Sequence, residues 1–456
     1  MRWFGTNGIR EVVGERLTPA FAASFATAVG TTFAPGRPIA IGRDGRTSSP
    51  ALSEIVSGTL VLLGHKVVDL GLLPTPAIQY SVPRVGAQLG VIVTASHNPP
   101  QFNGFKCIAS DGLEVTRDVE ERIEAAIERP SPRSALYDEL GSSVRDGLGV
   151  QRYLDGILSH VDRGAISRRK FSVVLDCANG ASVVTSPELL RRLGCRVVTL
   201  NGHVDGTFPG RRSEPTEANL SDLLHAVPAL GADLGIAHDG DADRAIFVDG
   251  SGRFVPGEKI LTLLARDRVA RQKGGVVVTP VSGTQALEEV VRPLGGEVVY
   301  TRVGSPSVTH AMQERSAVFG GEENGGLIYP ELHLARDGAM TAAAMLDFLA
   351  RNSVTMEQAL HGLPAFTMVK TKVDCPVERG PAVLKRLREQ YQGERTPLVE
   401  IDGLKATMAD GWVLLRPSGT EPLIRVFAES RDPARAQALA DEGKRRVEAA
   451  LSGPSA

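Results

Sequence analysis

Three aspartates at alternate positions form an acidic loop, residues 239–244, between two apolar runs. They are Asp239, Asp241 and Asp243. Carboxylates this close repel one another unless a cation joins them, and hard oxygen ligands are typical of Mg²⁺ or Ca²⁺ sites. The loop is not an EF-hand, because its sixth position is Arg244 instead of glycine and its twelfth is Gly250 instead of glutamate. We predict that this aspartate loop binds Mg²⁺ with open positions for a phosphate; the alternative is a solvated acidic turn.

A second polar loop, residues 94–100, follows the apolar run 90–93. Ser96 lies where a strand is predicted to end, a favoured position for a nucleophile. A Ser-His-Asp hydrolase is not indicated, because Ser96 and His97 are sequence neighbours whose side chains point apart and no G-x-S-x-G turn surrounds them. Lys106 follows this serine loop and is one of ten lysines against 41 arginines. A lysine can act as acid or base where arginine cannot do so readily; the alternative is a polar turn with a surface lysine.

A third loop, residues 320–326, is rich in glycine. Glycine lets the backbone approach a ligand closely, and Glu322 and Asn324 could bind the hydroxyls of a polyol. An ordinary Gly-rich turn explains this glycine loop equally well.

A fourth loop, residues 416–422, combines arginine, hydroxyl and glycine residues. Its candidate phosphate ligands are Arg416, Ser418, Gly419, Thr420 and, shortly after the loop, Arg425. Such groups can surround a phosphate with charge-assisted and backbone hydrogen bonds. The arginine loop is not a Walker A sequence, since the Gly-Lys-Ser/Thr ending is absent; the alternative is an Arg-bearing hairpin turn.

The elements that must position these loops repeat three times along the chain. Each copy has an apolar run, a Gly/Ser/Thr loop, a helical stretch, a Leu-Gly pair and a second apolar run. From the first strand residue to the glycine the copies extend over 25, 21 and 19 residues, at 39–64, 173–194 and 276–295. That length admits a crossover helix, and continuous apolar runs are typical of strands covered on both faces. We predict three parallel strand–helix–strand units, each with its helix ending at the glycine.

The pattern changes past about residue 364. Alternation over 367–373, two apolar runs near 412–415 and 424–427, and a final helix from Asp432 predict a smaller α+β domain. A Pro/Ser linker at 129–134 and a glycine turn at 250–252 indicate earlier boundaries. We place four domains at residues 1–150, 151–252, 253–364 and 365–456. The predicted fold class is α/β, with three similar domains of mixed, mostly parallel sheets flanked by helices.

The composition is that of an ordinary globular chain, with 456 residues of which 42% are apolar and 23% charged. Lys and Arg number 51 against 53 Asp and Glu, so the basic excess of nucleic-acid binders is absent. Four scattered cysteines form no CxxC pair, which favours a reducing compartment. No apolar run reaches about 18 residues, and the N-terminus lacks a signal-peptide pattern. We therefore expect a cytoplasmic protein that binds neither nucleic acid nor membrane.

Taken together and in this order, the four loops resemble those of the α-D-phosphohexomutase superfamily, which includes phosphoglucomutase, phosphomannomutase and phosphoglucosamine mutase. The opening Thr6-Asn7-Gly8-Ile9-Arg10 is similar to the family's G-T-x-G-I-R sequence. The serine, aspartate, glycine and arginine loops resemble its phosphoserine, metal, sugar and phosphate loops. The resemblance covers essentially the whole chain. It implies three α/β domains of similar topology plus a smaller fourth domain, around a central cleft.

The resemblance also implies an activity, the exchange of hexose 1-phosphate and 6-phosphate. Ser96 would carry a phosphoryl group, pass it to a hexose monophosphate and receive the other phosphate of the resulting bisphosphate. One Mg²⁺ would be held by Asp239, Asp241, Asp243 and an oxygen of phospho-Ser96, and a hexose 1,6-bisphosphate would act as activator.

The same resemblance implies roles for further residues. Lys106 is the candidate general acid/base, with Arg10 and His97 near the reacting oxygens. The implied substrate-binding residues are Arg244, which also orients the serine loop, Glu322 and Asn324 for sugar hydroxyls, and Arg416, Ser418, Gly419, Thr420 and Arg425 for the phosphate that is not transferred.

Two departures from bacterial relatives affect sugar recognition. Asn324 and Gly326 replace the Ser and His of the bacterial G-E-x-S-G-H loop, and Ser305 stands where relatives place His or Asp. The Glu-Glu-Asn-Gly-Gly form, with the later sequence 336–341, resembles archaeal members that are phosphoglucosamine mutases or broad phosphogluco-/phosphomannomutases. We expect a phosphoglucosamine mutase, with the broad phosphoglucomutase/phosphomannomutase as the alternative.

Two other classes of protein are alternatives to a mutase. A Mg²⁺-dependent sugar phosphatase with an aspartyl nucleophile would release phosphate, whereas a mutase releases almost none. A binding protein that encloses sugar phosphates without catalysis would lack Ser96 or one of the aspartates, and all are present. The expected partner is a small hexose phosphate, and the expected oligomeric state is a monomer or homodimer.

Overall fold

The computed structural model describes residues 3–5, 7–130, 134–418 and 422–452. The chain divides into two compact units, Met1–Leu264 with Asn324–His361 and Ala265–Glu323 with Gly362–Ala456. Among the described residues, no helix is long and apolar enough to cross a bilayer. Residues 131–133 of the predicted linker, Thr6 of the opening sequence, and Gly419 and Thr420 of the arginine loop lie outside the described part. The four domain boundaries stay predictions.

The first sheet lies in the first unit and is mixed but mostly parallel. Its strands are β1 (Ile9–Val12), β2 (Ile39–Arg43), β3 (Lys66–Leu72), β4 (Leu89–Val93), β5 (Phe102–Ala109) and β6 (Ser142–Arg145), in the order β1-β5-β4-β2-β3-β6. Helices flank it: α1 (Pro19–Thr32), α2 (Ser49–Leu62), α3 (Thr75–Arg84) and α4 (Arg117–Glu128). Strand β5 runs antiparallel to β1 and β4, and the other pairs are parallel. The serine loop therefore joins β4 to its antiparallel neighbour β5.

The second sheet also lies in the first unit. Its elements are α5 (Gly149–Leu158), α6 (Arg163–Arg169), β7 (Ser172–Asp176), α7 (Ser186–Arg192), β8 (Arg196–Leu200), α8 (Ser221–Ala229), β9 (Leu234–His238), β10 (Ala245–Asp249) and β11 (Phe254–Val255). The strand order is β11-β10-β9-β7-β8. Strand β7 is parallel to β8 and β9, whereas β9, β10 and β11 are antiparallel. The aspartate loop is the connection between β9 and β10.

The third set of elements is α9 (Gly257–Gln272), β12 (Gly275–Pro280), α10 (Ala286–Val291), β13 (Gly296–Thr301), α11 (Ser305–Glu314), β14 (Phe319–Gly321), β15 (Leu327–Tyr329), β16 (His333–Arg336), α12 (Gly338–Asn352) and α13 (Met356–Leu360). In the second unit, β12 pairs in parallel with β13 and β14. In the first unit, β15 and β16 form an antiparallel pair. Helix α12 is buried over nearly its whole length, because it is rich in alanine and apolar residues on every side.

The C-terminal sheet lies in the second unit and is antiparallel throughout. Its elements are β17 (Thr367–Asp374), α14 (Gly380–Gly393), β18 (Leu398–Val399), β19 (Leu404–Met408), β20 (Gly411–Pro417), β21 (Leu423–Ser430) and α15 (Pro433–Ser452), with strand order β17-β21-β20-β19-β18. The sequence pattern predicted β17, β20, β21 and α15 but missed α14, β18 and β19. Helix α14 buries only a narrow stripe that includes Val383, Leu387 and Tyr391, and its many charged residues obscure that stripe.

The three predicted strand–helix–strand units are confirmed by the parallel pairs β2–β3, β7–β8 and β12–β13. The glycine of each Leu-Gly pair adopts the left-handed backbone that glycine permits, with φ of 86°, 85° and 76° at Gly64, Gly194 and Gly295. In the first two units the serine before proline is already the first helical residue rather than the N-cap. The Ser-Pro pairs at 49–50 and 186–187 predict an N-cap serine followed by the first helical residue, so this pattern starts each helix one residue later than the structure does.

Candidate active site

Ser96 lies at the turn of the serine loop and is fully buried. Its φ of 52° places a non-glycine residue in the left-handed region, a strained conformation that surrounding contacts must stabilise. The Ser96 hydroxyl donates a hydrogen bond to Asp239 Oδ2 at 3.3 Å. It also lies 3.4 Å from His97 Nδ1, so the expectation that these neighbouring side chains point apart is wrong: Ser96 is in a left-handed turn and not in a strand. The structure thus brings the predicted nucleophile to the predicted metal loop, 143 residues further along the chain.

The side chain of Arg46 stabilises this strained turn. Its guanidinium is wholly buried and donates to the main-chain carbonyls of Ser96, Asn98, Pro99 and Phe102 at 2.6–2.8 Å. Charge-assisted hydrogen bonds of this kind are about twice as strong as neutral ones. Three carbonyls of the serine loop and the first carbonyl of β5 therefore share one cation.

A buried carboxylate orients Arg46 in turn. Asp44 accepts from Arg46 Nε at 3.2 Å, from the Ser49 hydroxyl at 2.6 Å and from the Thr94 hydroxyl at 2.7 Å. Thr94 Oγ1 also accepts from the Ser96 amide at 2.9 Å. The serine loop is consequently tied to the ends of both β2 and β4, and Ser96 has little freedom to move.

The three aspartates form one buried cluster. One ligand oxygen from each of Asp239, Asp241 and Asp243 lies within 4.8 Å of the others. Asp241 Oδ1 and Asp243 Oδ1 are buried without a hydrogen-bond partner. Buried carboxylate oxygens are costly to leave unsatisfied, so these atoms fit a hard divalent cation. The residues present therefore suit the metal that the aspartate pattern predicts.

The pKa values of two aspartates in the cluster are shifted in opposite directions. Burial and the nearby carboxylates of Asp243 and Asp241 raise the pKa of Asp239 well above its ordinary value. Burial alone would also raise the pKa of Asp241, but the Lys106 ammonium and the Thr75 hydroxyl outweigh it and lower that pKa. Lys106 Nζ lies 3.0 Å and Thr75 Oγ1 2.7 Å from Asp241 Oδ2. Asp241 is thus anionic, and Lys106 is its direct partner.

Four basic side chains surround the three carboxylates: Arg10, Lys106, Arg244 and Arg336. Arg244 Nε is 3.8 Å from Asp239 and 3.7 Å from Asp243, and Arg336 Nη2 contacts Asp243 Oδ2. The cluster accordingly places four basic side chains beside three carboxyl groups. A phosphoryl dianion and a divalent cation carry opposite and equal charge, so binding both leaves the net charge of the cluster unchanged.

His97 is held as a neutral acceptor. Burial, followed by the charges of Arg244 and Arg10, lowers the pKa of His97 well below its ordinary value. Arg244 Nη2 lies 3.0 Å from His97 Nδ1, and because a guanidinium can only donate, that nitrogen accepts. Burial also lowers the pKa of Arg10 to about 10, and Arg10 Nη1 donates to Asn98 Oδ1 at 2.9 Å. Arg10 therefore stays charged and contacts the serine loop.

The remaining predicted residues divide between the two units. Asn324 lies in the first unit, where its Oδ1 accepts from Gly326 N at 3.1 Å and the next residue, Gly325, accepts from the amide of Ala245 at 3.0 Å. The glycine loop thus ends beside the start of β10. Glu322 lies in the second unit and accepts from Gly304 N at 3.2 Å.

The described part of the arginine loop lies in the second unit. Arg416 and Arg425 stand directly opposite each other on β20 and β21. The Ser418 amide donates to Leu423 O at 2.9 Å. Like charges directly opposite in a sheet repel one another, so a pair of arginines favours an anion between or beside them.

Several site residues were missed from the sequence alone. Asp44, Arg46, Thr75 and Arg336 contact the serine loop or the aspartates but lie in other segments. A usable signal was present for three of them, since Asp44, Arg46 and Thr75 follow the apolar runs of β2 and β3. Polar residues at the carboxyl ends of parallel strands collect at one edge of a sheet.

Four models of phosphoglucomutase/phosphomannomutase domains match the chain: α/β/α domain I at residues 1–134, domain II at 151–252, domain III at 256–366 and the C-terminal domain at 370–445. The chain belongs to the phosphoglucomutase/phosphomannomutase family. It is a phosphohexomutase, an isomerase of four domains in which three are similar α/β domains.

The chain is similar over its whole length to archaeal proteins. A probable phosphoglucosamine mutase of Methanopyrus kandleri is 42% identical over 97% of this chain and 96% of its own length. A phosphoglucosamine/phosphogalactosamine mutase of Sulfurisphaera tokodaii is 39% identical over 98% of this chain and 99% of its own. A phosphoglucomutase/phosphomannomutase of Thermococcus kodakarensis is 38% identical over 99% of both chains.

Solved structures share the fold. A phosphoglucomutase/phosphomannomutase family protein of Burkholderia thailandensis has a TM-score of 0.89 and 28% identity, covering 100% of this chain and 98% of its own. The N-acetylphosphoglucosamine mutase of Aspergillus fumigatus, solved with GlcNAc-6P and magnesium, has a TM-score of 0.63 and 16% identity, covering 99% of this chain and 96% of its own.

Proposed function

We propose that this phosphohexomutase interconverts glucosamine 6-phosphate and glucosamine 1-phosphate through phospho-Ser96 and a glucosamine 1,6-bisphosphate. The observation that carries the reaction is the placement of the Ser96 hydroxyl beside Asp239, on a loop that Arg46 makes rigid. The relatives from Methanopyrus and Sulfurisphaera support the amino sugar by their names. The Thermococcus relative supports the alternative, a broad phosphoglucomutase/phosphomannomutase.

In the proposed reaction, phosphoryl transfer breaks the bond between phosphorus and Ser96 Oγ and forms a bond to the free hydroxyl of the hexose phosphate. The bisphosphate then turns over, and its other phosphoryl group returns to Ser96. Lys106, which is buried beside the aspartates, would give or take the proton of the reacting oxygen. Arg10, Arg244 and neutral His97 would surround the transferred group and position it, and positioning is most of catalysis in phosphoryl transfer.

Asp239, Asp241 and Asp243 are the residues that would hold Mg²⁺, with an oxygen of phospho-Ser96 as a further ligand. When bound, the cation would offset negative charge on the transferred group. Glu322 and Asn324 would bind the sugar hydroxyls. Arg416, Ser418, Gly419, Thr420 and Arg425 would bind the phosphate that is not transferred.

The test compares kcat/KM on glucosamine, glucose and mannose 1-phosphates, with Mg²⁺ and a hexose 1,6-bisphosphate activator that phosphorylates Ser96. We expect glucosamine 1-phosphate to lead by about tenfold, equal to about 1.4 kcal/mol of transition-state preference. Equal or faster turnover of glucose and mannose would establish the broad mutase instead. Net release of phosphate would indicate a phosphatase.

Ser96→Ala is the control for the mechanism. The variant should fold, lose nearly all mutase activity and lose the mass of one phosphoryl group in intact-mass spectra. Full activity in Ser96→Ala would refute the phosphoserine route for every sugar.

A further inference from the structure

Asp402 lies in the second unit, on the connection between β18 and β19, and contacts two segments at once. Its Oδ2 accepts from Arg416 Nε at 2.7 Å and from the Val303 amide at 3.0 Å. Arg416 belongs to the arginine loop, whereas Val303 precedes α11. One carboxylate oxygen therefore links two loops that are 113 residues apart in sequence.

The contact continues through the next peptide to the glycine loop. Gly304 N donates to Glu322 Oε1 at 3.2 Å, and Glu322 is only 4% exposed. Gly304 has a φ of 124°, which a residue with a side chain rarely adopts. A continuous series of hydrogen bonds thus runs from Arg416 through Asp402 and the 303–304 backbone to Glu322.

The backbone is shaped to bring Asp402 to this position. Gly403 has a φ of 83°, and a Cβ added there would lie 2.5 Å from Leu415 O and 2.9 Å from Arg416 Cα. Only glycine allows the loop to approach β20 this closely. The contact with Arg416 Nε also fixes the plane of the guanidinium without using its Nη donors, which form the fork that suits a phosphate.

We infer that Asp402 is a positioning residue that fixes the phosphate-binding Arg416 and the sugar-binding Glu322 relative to each other. Asp402 therefore affects sugar discrimination as well as phosphate affinity. This inference rests on the proposed function, in which Arg416 binds phosphate and Glu322 binds sugar hydroxyls. A residue that supported Arg416 alone would change the KM of every hexose phosphate by one factor.

Two substitutions separate the charge of Asp402 from its hydrogen bonds. Asp402→Asn keeps an acceptor oxygen for Arg416 and Val303 but loses the charge. Asp402→Ala loses both contacts, so the Val303 amide, next to the Gly304 amide that binds Glu322, loses its partner. Asp410→Asn is the matched control, because Asp410, in the turn between β19 and β20 of the same sheet, forms an ion pair of the same 2.7 Å length with Arg435 Nε.

The experiment measures kcat and KM of each variant on glucosamine and mannose 1-phosphates, with inorganic phosphate as a competitive inhibitor. Asp402→Ala should raise KM by about tenfold and change the ratio of the two kcat/KM values by about threefold or more. Asp402→Asn should raise KM less and preserve the ratio. Asp410→Asn should match the wild type.

Arg416→Ala distinguishes failure of this inference from failure of the proposed function. If Arg416→Ala leaves KM and phosphate inhibition unchanged, the proposed phosphate site is wrong, and the inference falls with it. If Arg416→Ala raises KM while Asp402→Ala changes neither KM nor the sugar ratio, the role of Asp402 alone is refuted. A uniform rise in KM with an unchanged ratio in Asp402→Ala would likewise overturn the link to Glu322.

Discussion

Arg46→Lys should disrupt the serine loop although it preserves charge. The guanidinium of Arg46 serves five acceptors, the carbonyls of Ser96, Asn98, Pro99 and Phe102 and the carboxylate of Asp44. A lysine ammonium has three donors on one atom, so at least two of those acceptors lose their partner. The site is buried, and water cannot easily replace the missing donors.

The expected loss in the free energy of unfolding follows from those contacts. A buried acceptor left without a partner costs about 1–3 kcal/mol, so two of them cost about 2–6 kcal/mol. The strained φ of Ser96 adds a tendency for the turn to relax once its carbonyls are released. Because domains are stable by only about 5–15 kcal/mol, this loss is large but compatible with a folded protein.

The assay combines urea unfolding with hydrogen exchange of the backbone amides in residues 94–103. Arg46→Lys should unfold at lower urea, exchange faster in this loop and show a reduced kcat at temperatures where it stays folded. The control is Arg37→Lys, because Arg37 also donates to two main-chain carbonyls but at an exposed site. An unfolding midpoint, loop exchange and kcat equal to the wild type would refute the role of Arg46.

Two further predictions concern the buried charges. Asp241→Asn should weaken divalent-cation binding, so MgCl₂ should raise the melting temperature of the wild type and of Asp410→Asn but raise that of Asp241→Asn less; an equal rise would exclude Asp241 as a ligand. Burial lowers the pKa of Lys405 to about 8 from 10.5, against the opposing charges of Glu429 and Glu288. The unfolded chain therefore binds more protons between those pH values, and wild-type stability should rise relative to Lys405→Met from pH 8 to 10.5, by up to about 3 kcal/mol. A difference in unfolding free energy between the two proteins that stays constant across that pH range would contradict the prediction.

The sequence pattern predicted the repeated architecture because the features that specify each unit are close together along the chain. A continuous apolar run, a crossover of about 20 residues and a glycine at the helix end specify a parallel strand–helix–strand unit without reference to distant residues. The aspartate loop was readable for the same reason, since three carboxylates two residues apart already repel one another. Helix α14 and strands β18 and β19 were missed because their burial depends on a sheet that other segments complete.

The contacts that the supporting residues of the active site make could not be read in this way. Arg46 lies 50 residues from Ser96, and Thr75 lies 166 residues from Asp241, so no local pattern relates them. Asp402 is an unremarkable loop aspartate until the fold places it between Arg416 and Val303.

By itself, then, the amino-acid sequence determined the residue types that can do the chemistry and the strands that deliver them, since both depend on neighbours along the chain. Only the tertiary structure decided which side chains meet, which aspartate is the anionic partner of Lys106, and which backbone turn is held in strain. The physical reason is that burial, charge pairing and hydrogen-bond satisfaction depend on distances through space, and those distances exist only once the sheets and their loops have packed.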